Sequence, residues 1–534
     1  MKKWSLGLVA FCLLGTAVFS QTSAERANRV PGGPIKAHDD DAVRNLTTLN
    51  ASDVQHVIQA AAESVSSPLI IAVTTRQGEI LGVYQKAGAS TAPVAGNFGN
   101  MVDPNELAVG LARTASFFSN DAAPLTSRTV RFISTINFPA SVFFTGPAPL
   151  YGIENTNRGC PFNAPYPATS ADGFPFFLPP ARSIDGTRPG LGIQTGKPDI
   201  LDSDQNAVNP GGIPLFKMNA LGGYTMVGGI GVVAPTHAIA EYAALVGAIA
   251  GNGINLLGAL AGLPPGIVIA GGVGLPEINQ KTNPNGAGDN GTGSYALGSY
   301  LVGPKTATAP APELDLIPRS AGQYLTVDDV STIINNAVAT ANQTRAVIRL
   351  PPGNKARFVI SVADLDGHLI GLYRMRDATI FSIDVSVAKS RNVIYFTQHP
   401  GTDLPGVPTG TAVTNRTIEF GAMPYYPPPI NFTMLGPWFQ LYKNDTANPC
   451  TQGQQPANPY QNGIVFFPGS IPLYKNGQLV GGLGVSGDGV DQDDYVTAAG
   501  AVGYMPPANI ESDNIIVEGV RLPFQKFPRD PTDF

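Results

Sequence analysis

Residues 359–373 read VISVADLDGHLIGLY, and residues 70–84 read IIAVTTRQGEILGVY. In both stretches, apolar and small residues run into and out of a short polar turn, at Asp366-Gly367 in one and at Gln77-Gly78 in the other. Asp-Gly is favoured in the tight turns that join antiparallel strands, so each stretch predicts a β-hairpin. The same hairpin at two places indicates that one structural unit occurs twice in the chain.

Other blocks recur in the same order around the hairpins. LNASDVQHVIQAAAE at 49–63 is matched by LTVDDVSTIINNAVA at 325–339, LTSRTVRF at 125–132 by VTNRTIEF at 413–420, GIPLFK at 212–217 by SIPLYK at 470–475, and MVGGIGV at 226–232 by LVGGLGV at 479–485. In the stretch after each first hairpin, we align Ala112 with Ala388 and Arg113 with Lys389. Blocks that recur in one order indicate that a whole domain is repeated rather than a short motif.

Each copy is predicted to contain a helix, a hairpin, a second helix, a second hairpin and a third helix. The first helix follows from apolar residues at helical spacing, Val54, Val57, Ile58 and Ala61. A long insert rich in proline, glycine and aromatic residues precedes the second hairpin of each copy. This order favours an α+β fold, two tandem domains in which helices pack on an antiparallel sheet.

The chain begins with a predicted secretory signal. Lys2 and Lys3 precede an apolar run, and small residues end the segment at Ala24, as a signal peptidase requires. The run is shorter than the roughly 20 apolar residues of a membrane anchor. We therefore expect a secreted or periplasmic protein. The predicted boundaries are a signal peptide at 1–24, a flexible leader at 25–48, a first domain at 49–280, a linker at 281–324, a second domain at 325–525 and a tail at 526–534.

The composition excludes some partners. Charged residues make up 13% of the chain and the net charge is −6, with no run of Lys and Arg, so nucleic-acid binding is not expected. The uncharged stretch from Tyr242 to Leu275 is long enough for a membrane span, but Pro264-Pro265 interrupts it. Because Tyr242 aligns with Tyr495 in a charged segment, we predict a buried Ala/Gly helix followed by a loop, and no membrane span.

Two cysteines, Cys160 and Cys450, remain after the predicted signal is removed. Both lie in loops rich in proline and asparagine, and neither has the neighbouring cysteine or histidine that a zinc site needs. An exported pair is a candidate disulfide.

The second copy contains a set of motifs in a fixed order: Asp364 and Gly367, Arg374-Met375 with Asp377-Ala378, Lys389, the glycine-rich stretch 482–487, and Asp493-Asp494. With these motifs it resembles the haem-binding GlcG/HbpS-type domain, which also occurs at the end of PduO-type proteins. Members of this family bind haem and assemble as oligomers, so the resemblance implies haem as a ligand and a possible homo-oligomer. The cofactor-binding candidates that it implies are Arg374, Met375, Lys389, Asn392 and His368.

The sequence leaves the chemistry of the site open. Arg128 and Arg416 recur in the matched blocks, and either could clamp a carboxylate such as a haem propionate or anchor the insert through an ion pair. The acidic residues at 488–494 are explained by the start of a helix, whose dipole favours carboxylates. No catalytic motif is found, so whether the protein is an enzyme stays open, with binding expected instead. The expected function is haem binding or sensing; the alternative is a structural or interaction protein.

Overall fold

The structure, a computed structural model, describes residues 47–532 except 141, 143, 161–181, 205, 260–266, 271–272, 309–312, 350–352, 429–433 and 457. The predicted signal peptide, nearly all of the predicted leader and the end of the predicted tail lie outside the described residues. The described residues all belong to one unit, Val43–Phe534.

The N-terminal half is built on a five-stranded antiparallel sheet. Its elements are α1 (Ala51–Glu63), β1 (Ile70–Thr75), β2 (Ile80–Gln85), the short pair β3 (Val94–Ala95) and β4 (Met101–Val102), α2 (Pro104–Phe118), α3 (Ser127–Phe132), β5 (Gly212–Met218), β6 (Tyr224–Val233), α4 (His237–Ala248), α5 (Leu256–Ala259), β7 (Ile267–Ala270), β8 (Val273–Pro276) and β9 (Ser299–Val302). The strand order of the sheet is β5-β6-β1-β2-β9.

The C-terminal half contains a second five-stranded sheet. Its elements are β10 (Leu314–Ile317), α6 (Val327–Ala341), β11 (Val359–Ala363), β12 (Leu369–Arg374), α7 (Phe381–Gln398), α8 (Pro400–Asp403), α9 (Asn415–Gly421), α10 (Phe439–Ala447), β13 (Ser470–Lys475), β14 (Gln478–Ser486), α11 (Val490–Gly500) and the short pair β15 (Ile516–Val517) and β16 (Val520–Arg521). The strand order of the sheet is β13-β14-β11-β12-β10. Helices and antiparallel sheets confirm the predicted α+β class.

The two sheets agree in register as well as in order. In the first, Ile71 lies opposite Tyr84 on one side and Val232 on the other. In the second, Ile360 lies opposite Tyr373 and Val485. Each of these two hairpins therefore supplies the central strand of its sheet, β1 or β11, and the strand beside it, β2 or β12.

The segment at 281–324, expected to be a linker, contributes an edge strand to each sheet. Strand β9 pairs with β2, and β10 pairs with β12. Each strand has only four residues and is flanked by segments rich in proline and glycine. The sequence therefore did not predict these strands. Edge strands this short carry little hydrophobic periodicity of their own.

Glycines let one helix lie directly on each sheet. A Cβ at Gly231 would lie 1.9 Å from the Ala108 oxygen of α2, and one at Gly484 would lie 2.0 Å from the Ser386 oxygen of α7. Only glycine allows backbones to approach so closely. Since the sheet registers pair Gly231 with Gly484, this contact pairs Ala108 with Ser386.

That pairing corrects the alignment of α2 with α7. Arg113 corresponds to Arg391, not to Lys389, and the two arginines make the same contact. Arg113 Nε donates to the Gly78 oxygen at 2.9 Å, and Arg391 Nε donates to the Gly367 oxygen at 2.9 Å. The sequence alignment of the two helices was therefore wrong by two residues. Both helices contain many small residues, and no distinctive side chain fixes the alignment of one on the other.

The halves are joined by a shared apolar core. Phe118, Leu125 and Ile133 of the N-terminal half belong to the same cluster as Phe381 and Ile383 of the C-terminal half. A separate cluster fills the space between α1, α4 and the first sheet. The apolar stretch from Tyr242 begins inside helix α4 as predicted, but the predicted loop after it contains the short helix α5 and the paired strands β7 and β8. Among the described residues no helix is long and apolar enough to cross a membrane.

Candidate functional site

A cavity of about 580 Å³ lies between the two halves. This volume is within the range of about 300 to 1,000 Å³ that small-molecule sites occupy. Its described lining is mostly apolar with a polar end, and consists of Phe118, Leu125, Ile133, Phe138, 146–150, Val347, Ile348, Phe381, Arg416, Glu419, Phe420, Met423, Pro428, 488–492, Pro523 and Lys526. Residues from both halves are needed to form it.

Aromatic rings form part of the apolar wall. Phe118, the last residue of α2, stacks on Phe381, the first residue of α7, with ring centroids 4.1 Å apart and planes at 10°. Both rings are buried, and Phe138 and Phe420 also line the cavity. A flat, apolar ligand surface is the natural complement of such walls.

Arg416 on α9 holds the polar end of the cavity together. Its Nε donates to Asp494 at 2.5 Å and its Nη2 to Asp491 at 2.7 Å, both on α11. In the N-terminal half, Arg128 makes the corresponding bidentate contact with Glu241 on α4, at 2.7 and 2.9 Å. Of the two roles left open for these arginines, the structure places both in ion pairs, which tie α3 to α4 in the N-terminal half and α9 to α11 in the C-terminal half.

Glu419 lies one turn beyond Arg416 and lines the same cavity. Burial raises the pKa of its carboxyl group to about 8; the Arg416 and Lys389 charges oppose this shift, while Asp494 and Asp491 add to it. Its carboxyl group makes no hydrogen bond or ion pair with the described residues. At neutral pH it is therefore mostly a neutral acid, at the polar end of a largely apolar cavity.

A smaller groove of about 260 Å³ lies on the C-terminal half. Gly367, Ile394, Tyr395, Gln452 and Tyr460 are among its lining residues. The groove is more polar than the large cavity, and Gln452 Nε2 is a buried donor without a hydrogen-bond partner in the described part of the chain.

His368, one of the candidates from the sequence, stands beside this groove. It follows Gly367 in the hairpin turn and is half-buried. Its ring packs edge-on against the Tyr460 ring, with centroids 5.8 Å apart. Within the described residues the imidazole nitrogens make no hydrogen bond, so they are available to a ligand.

The other four candidates are buried. Arg374 donates from Nε to the Ala378 oxygen at 3.0 Å, and Met375 packs in the core. Asn392 donates to the Gly463 oxygen at 2.9 Å and accepts from the Val465 amide at 2.9 Å. The structure therefore does not bring His368 together with these residues in one open site.

Lys389 forms a fully buried ion pair. Its Nζ lies 2.8 Å from Asp493 Oδ2 and donates to the Val485 oxygen at 2.9 Å. Burial raises the pKa of Asp493 to about 7, and the Lys389 charge opposes the shift. Burial also lowers the pKa of Lys389. In this structure Lys389 holds α7 to α11 and has no exposed surface.

Sequence reasoning missed Glu419 and Gln492 as parts of a site. Glu419 aligns with Arg131 inside the matched blocks, and this reversal of charge was a signal that could have marked it. Gln492 carried no such signal, because its place beside the cavity depends on how the halves pack.

The predicted disulfide is present. Cys160 and Cys450 are bonded, with Cα atoms 5.4 Å apart and a sequence separation of 290 residues. The bond joins the insert of the N-terminal half to the C-terminal half. In the described part of the chain, no group of three or more His, Cys, Asp or Glu residues could hold a metal ion.

The fold and these sites define a class: an α+β protein with antiparallel sheets and ligand-sized cavities. Residues 325–502 match the family model described as haem degrading protein HbpS-like. No curated protein matches the chain.

Two solved structures are similar to part of the chain. One is a PduOC:haem complex, 21% identical to this chain over the aligned region. The alignment covers 34% of this chain and 94% of the PduOC chain, with a TM-score of 0.22. The other, Klebsiella pneumoniae protein ORFY of the DUF336 family, is 18% identical, covers 35% of this chain and 96% of its own, with a TM-score of 0.23.

Proposed function

We propose that this protein is an exported haem-binding protein that works without catalysis. The observation that carries the proposal is the half-buried His368, whose ring has no hydrogen-bond partner among the described residues, beside a groove within the matched stretch 325–502. Histidine is among the usual axial ligands of haem iron.

The groove fits the chemical groups of haem better than the large cavity does. His368 would hold the iron, Tyr460 would contact the ring, and the unpartnered Gln452 amide would donate to a propionate. The large cavity has more room, but Met423 is the one iron ligand among its described lining residues and is 1% exposed. With about 260 Å³, the groove would hold only part of a haem, and the rest of the group would lie at the surface.

The export and tandem parts of the proposal rest on separate support. The signal-like segment at 1–24 and the disulfide are both expected of an exported protein. The shared strand order supports two copies of one domain, with the N-terminal half as the diverged copy. In such a fusion, the core shared by the halves takes the place of a contact between separate chains.

Haemin titration of the purified protein, followed by its Soret absorbance, tests the proposal. We expect saturation near one equivalent in the wild type, and His368→Ala to weaken binding by about tenfold or more with a changed Soret band. His56→Ala is the matched control, because His56 is also half-buried but bonds to the Ala250 oxygen at 2.8 Å in the other half. A non-saturating, featureless rise would reject haem binding and favour an interaction protein.

A further inference from the structure

The polar end of the 580 Å³ cavity has an excess of carboxyl groups. Its charged lining residues are the carboxyl groups of Glu419, Asp488 and Asp491 and the cations Arg416 and Lys526. Asp494 lies directly behind Arg416 and adds a further carboxyl group. Burying more carboxyl groups than cations is unfavourable unless some are neutral or a ligand supplies positive charge.

The two cations are already paired with acids. Arg416 is held by Asp494 and Asp491, and the Lys526 ammonium lies 2.8 Å from Asp491. An anionic ligand would have to compete with these carboxylates for the same donors. The polar end is therefore poorly suited to an acid or a phosphate.

Unsatisfied polar groups face the same end of the cavity. Gln492 is 3% exposed and its side-chain amide has no hydrogen-bond partner among the described residues. Its Oε1 lies against Gly489, another lining residue, since a Cβ there would come within 2.5 Å of that oxygen. Together with the unpartnered Glu419 carboxyl, Gln492 provides oxygen acceptors where a ligand would end.

We propose that this cavity binds an amphipathic cation, a molecule with an apolar, ring-containing body and one ammonium group. The body packs against Phe118, Phe381 and the other apolar walls. The ammonium pairs with the Glu419 carboxylate and donates to Gln492 Oε1. This site is separate from the groove beside His368, so the inference does not depend on haem binding.

The proposal makes binding dependent on pH. In the free protein, burial keeps the pKa of Glu419 near 8 against the Arg416 and Lys389 charges. An ammonium favours the ionised carboxylate, so binding releases a proton below pH 8. The affinity for an amine then rises with pH, by up to about tenfold per unit below 8, and levels off above it.

A matched set of ligands tests the inference on the full chain. The probes are 2-(1-naphthyl)ethylamine, 2-(1-naphthyl)ethanol and 1-naphthaleneacetate, titrated by calorimetry at pH 6, 7 and 8.5. We expect the amine to bind about tenfold or more tightly than the alcohol at pH 8.5, and the acetate to bind most weakly. The preference for the amine should shrink as the pH falls to 6.

Two variants assign the effect to one side chain. Glu419→Gln should bring amine and alcohol to similar affinities and remove the rise with pH. Glu106→Gln should change neither, because Glu106 is a half-buried carboxyl in the other half with a pKa that burial also raises, and it does not line the cavity. The inference is overturned if wild type prefers the acetate, binds all three equally, or binds none saturably, or if Glu419→Gln keeps the preference for the amine.

Discussion

The two halves of this protein share a scaffold but differ in the charges placed on it. Both have the same strand order and an arginine that donates to the hairpin glycine, and in both a second arginine ties a short helix to the helix that follows the second hairpin. With the structural alignment, the buried pair Lys389–Asp493 corresponds to Leu111 and Ala240 in the N-terminal half. Both of these residues line a small apolar pocket.

The comparison separates scaffold from specialised chemistry. Positions that set strand register or close a helix on the sheet are kept in both halves. Three charged groups of the C-terminal half are not kept. The N-terminal half has Leu111, Ala240 and Arg131 in place of Lys389, Asp493 and Glu419. The binding chemistry is therefore to be sought in the C-terminal half and at its border with the other half.

The largest expected effect comes from splitting the buried ion pair. Lys389→Leu leaves Asp493 buried without its cation and should lower the free energy of unfolding by about 3 to 5 kcal/mol. Lys389→Leu with Asp493→Ala recreates the pair found in the N-terminal half and should recover most of that loss. Urea unfolding followed by circular dichroism measures both.

A surface lysine provides the control for this pair. Lys526→Leu removes an ion pair whose lysine side chain is 67% exposed, and we expect a change below about 1 kcal/mol. If the double variant has as low a free energy of unfolding as Lys389→Leu, the leucine and alanine do not replace the ion pair. The C-terminal half would then need the ion pair for its stability, unlike the N-terminal half.

The disulfide tests whether the halves act as one unit. Replacing Cys160 and Cys450 with alanine frees a loop of 290 residues and should cost roughly 2 to 5 kcal/mol. Because the bond joins the halves, we expect their unfolding transitions to separate in differential scanning calorimetry. A single transition at an unchanged temperature would show that the shared apolar core alone couples the halves.

A smaller effect on stability is expected from the carboxyl group of Glu419, which stands where the N-terminal half has Arg131. Its pKa in the folded protein is raised to about 8 from an ordinary 4.5, so the folded state binds the proton more tightly. This contribution to stability is fully present below pH 4.5 and is lost as the pH rises through 8. Allowing for its partial exposure, the loss is about 2 kcal/mol.

Glu419→Gln should flatten the pH dependence of stability between pH 5 and 8. Urea midpoints across this range, compared with those of Glu106→Gln, measure the effect. Equal slopes for wild type and Glu419→Gln would mean that Glu419 is solvated and ordinary, which would also remove the physical basis for its role in the cavity.

How much of the fold could be predicted from the sequence depends on whether a feature forms through local or long-range contacts. The hairpins at Gln77-Gly78 and Asp366-Gly367 follow from local turn chemistry, and Cys160 with Cys450 follows from their being the two cysteines left. The edge strands β9 and β10 did not follow, because strands this short form through pairing with a neighbour rather than through their own pattern.

The candidate site was less predictable than the fold. The family pattern indicates Lys389 as a site residue, but its burial against Asp493 depends on how α7 and α11 pack. The cavity between Phe118 and Glu419 requires both halves in place, so no stretch of sequence describes it. Long-range packing decides which polar residues face a ligand and which are satisfied inside the protein.

The smallest expected effect uses the most closely matched pair of positions in the two halves. Asn50 and Thr326 cap α1 and α6, and each forms a reciprocal capping box with an aspartate three residues later. The same aspartates bind Lys217 at 2.6 Å and Lys475 at 2.8 Å. Asn50→Ala and Thr326→Ala should therefore each cost about 1 kcal/mol, measured as shifts in urea midpoint. If one variant loses several times more stability than the other, the two caps contribute differently although their geometry is the same. The two halves would then share a fold but not its energetics, and differences between them could not be assigned to the charged residues alone.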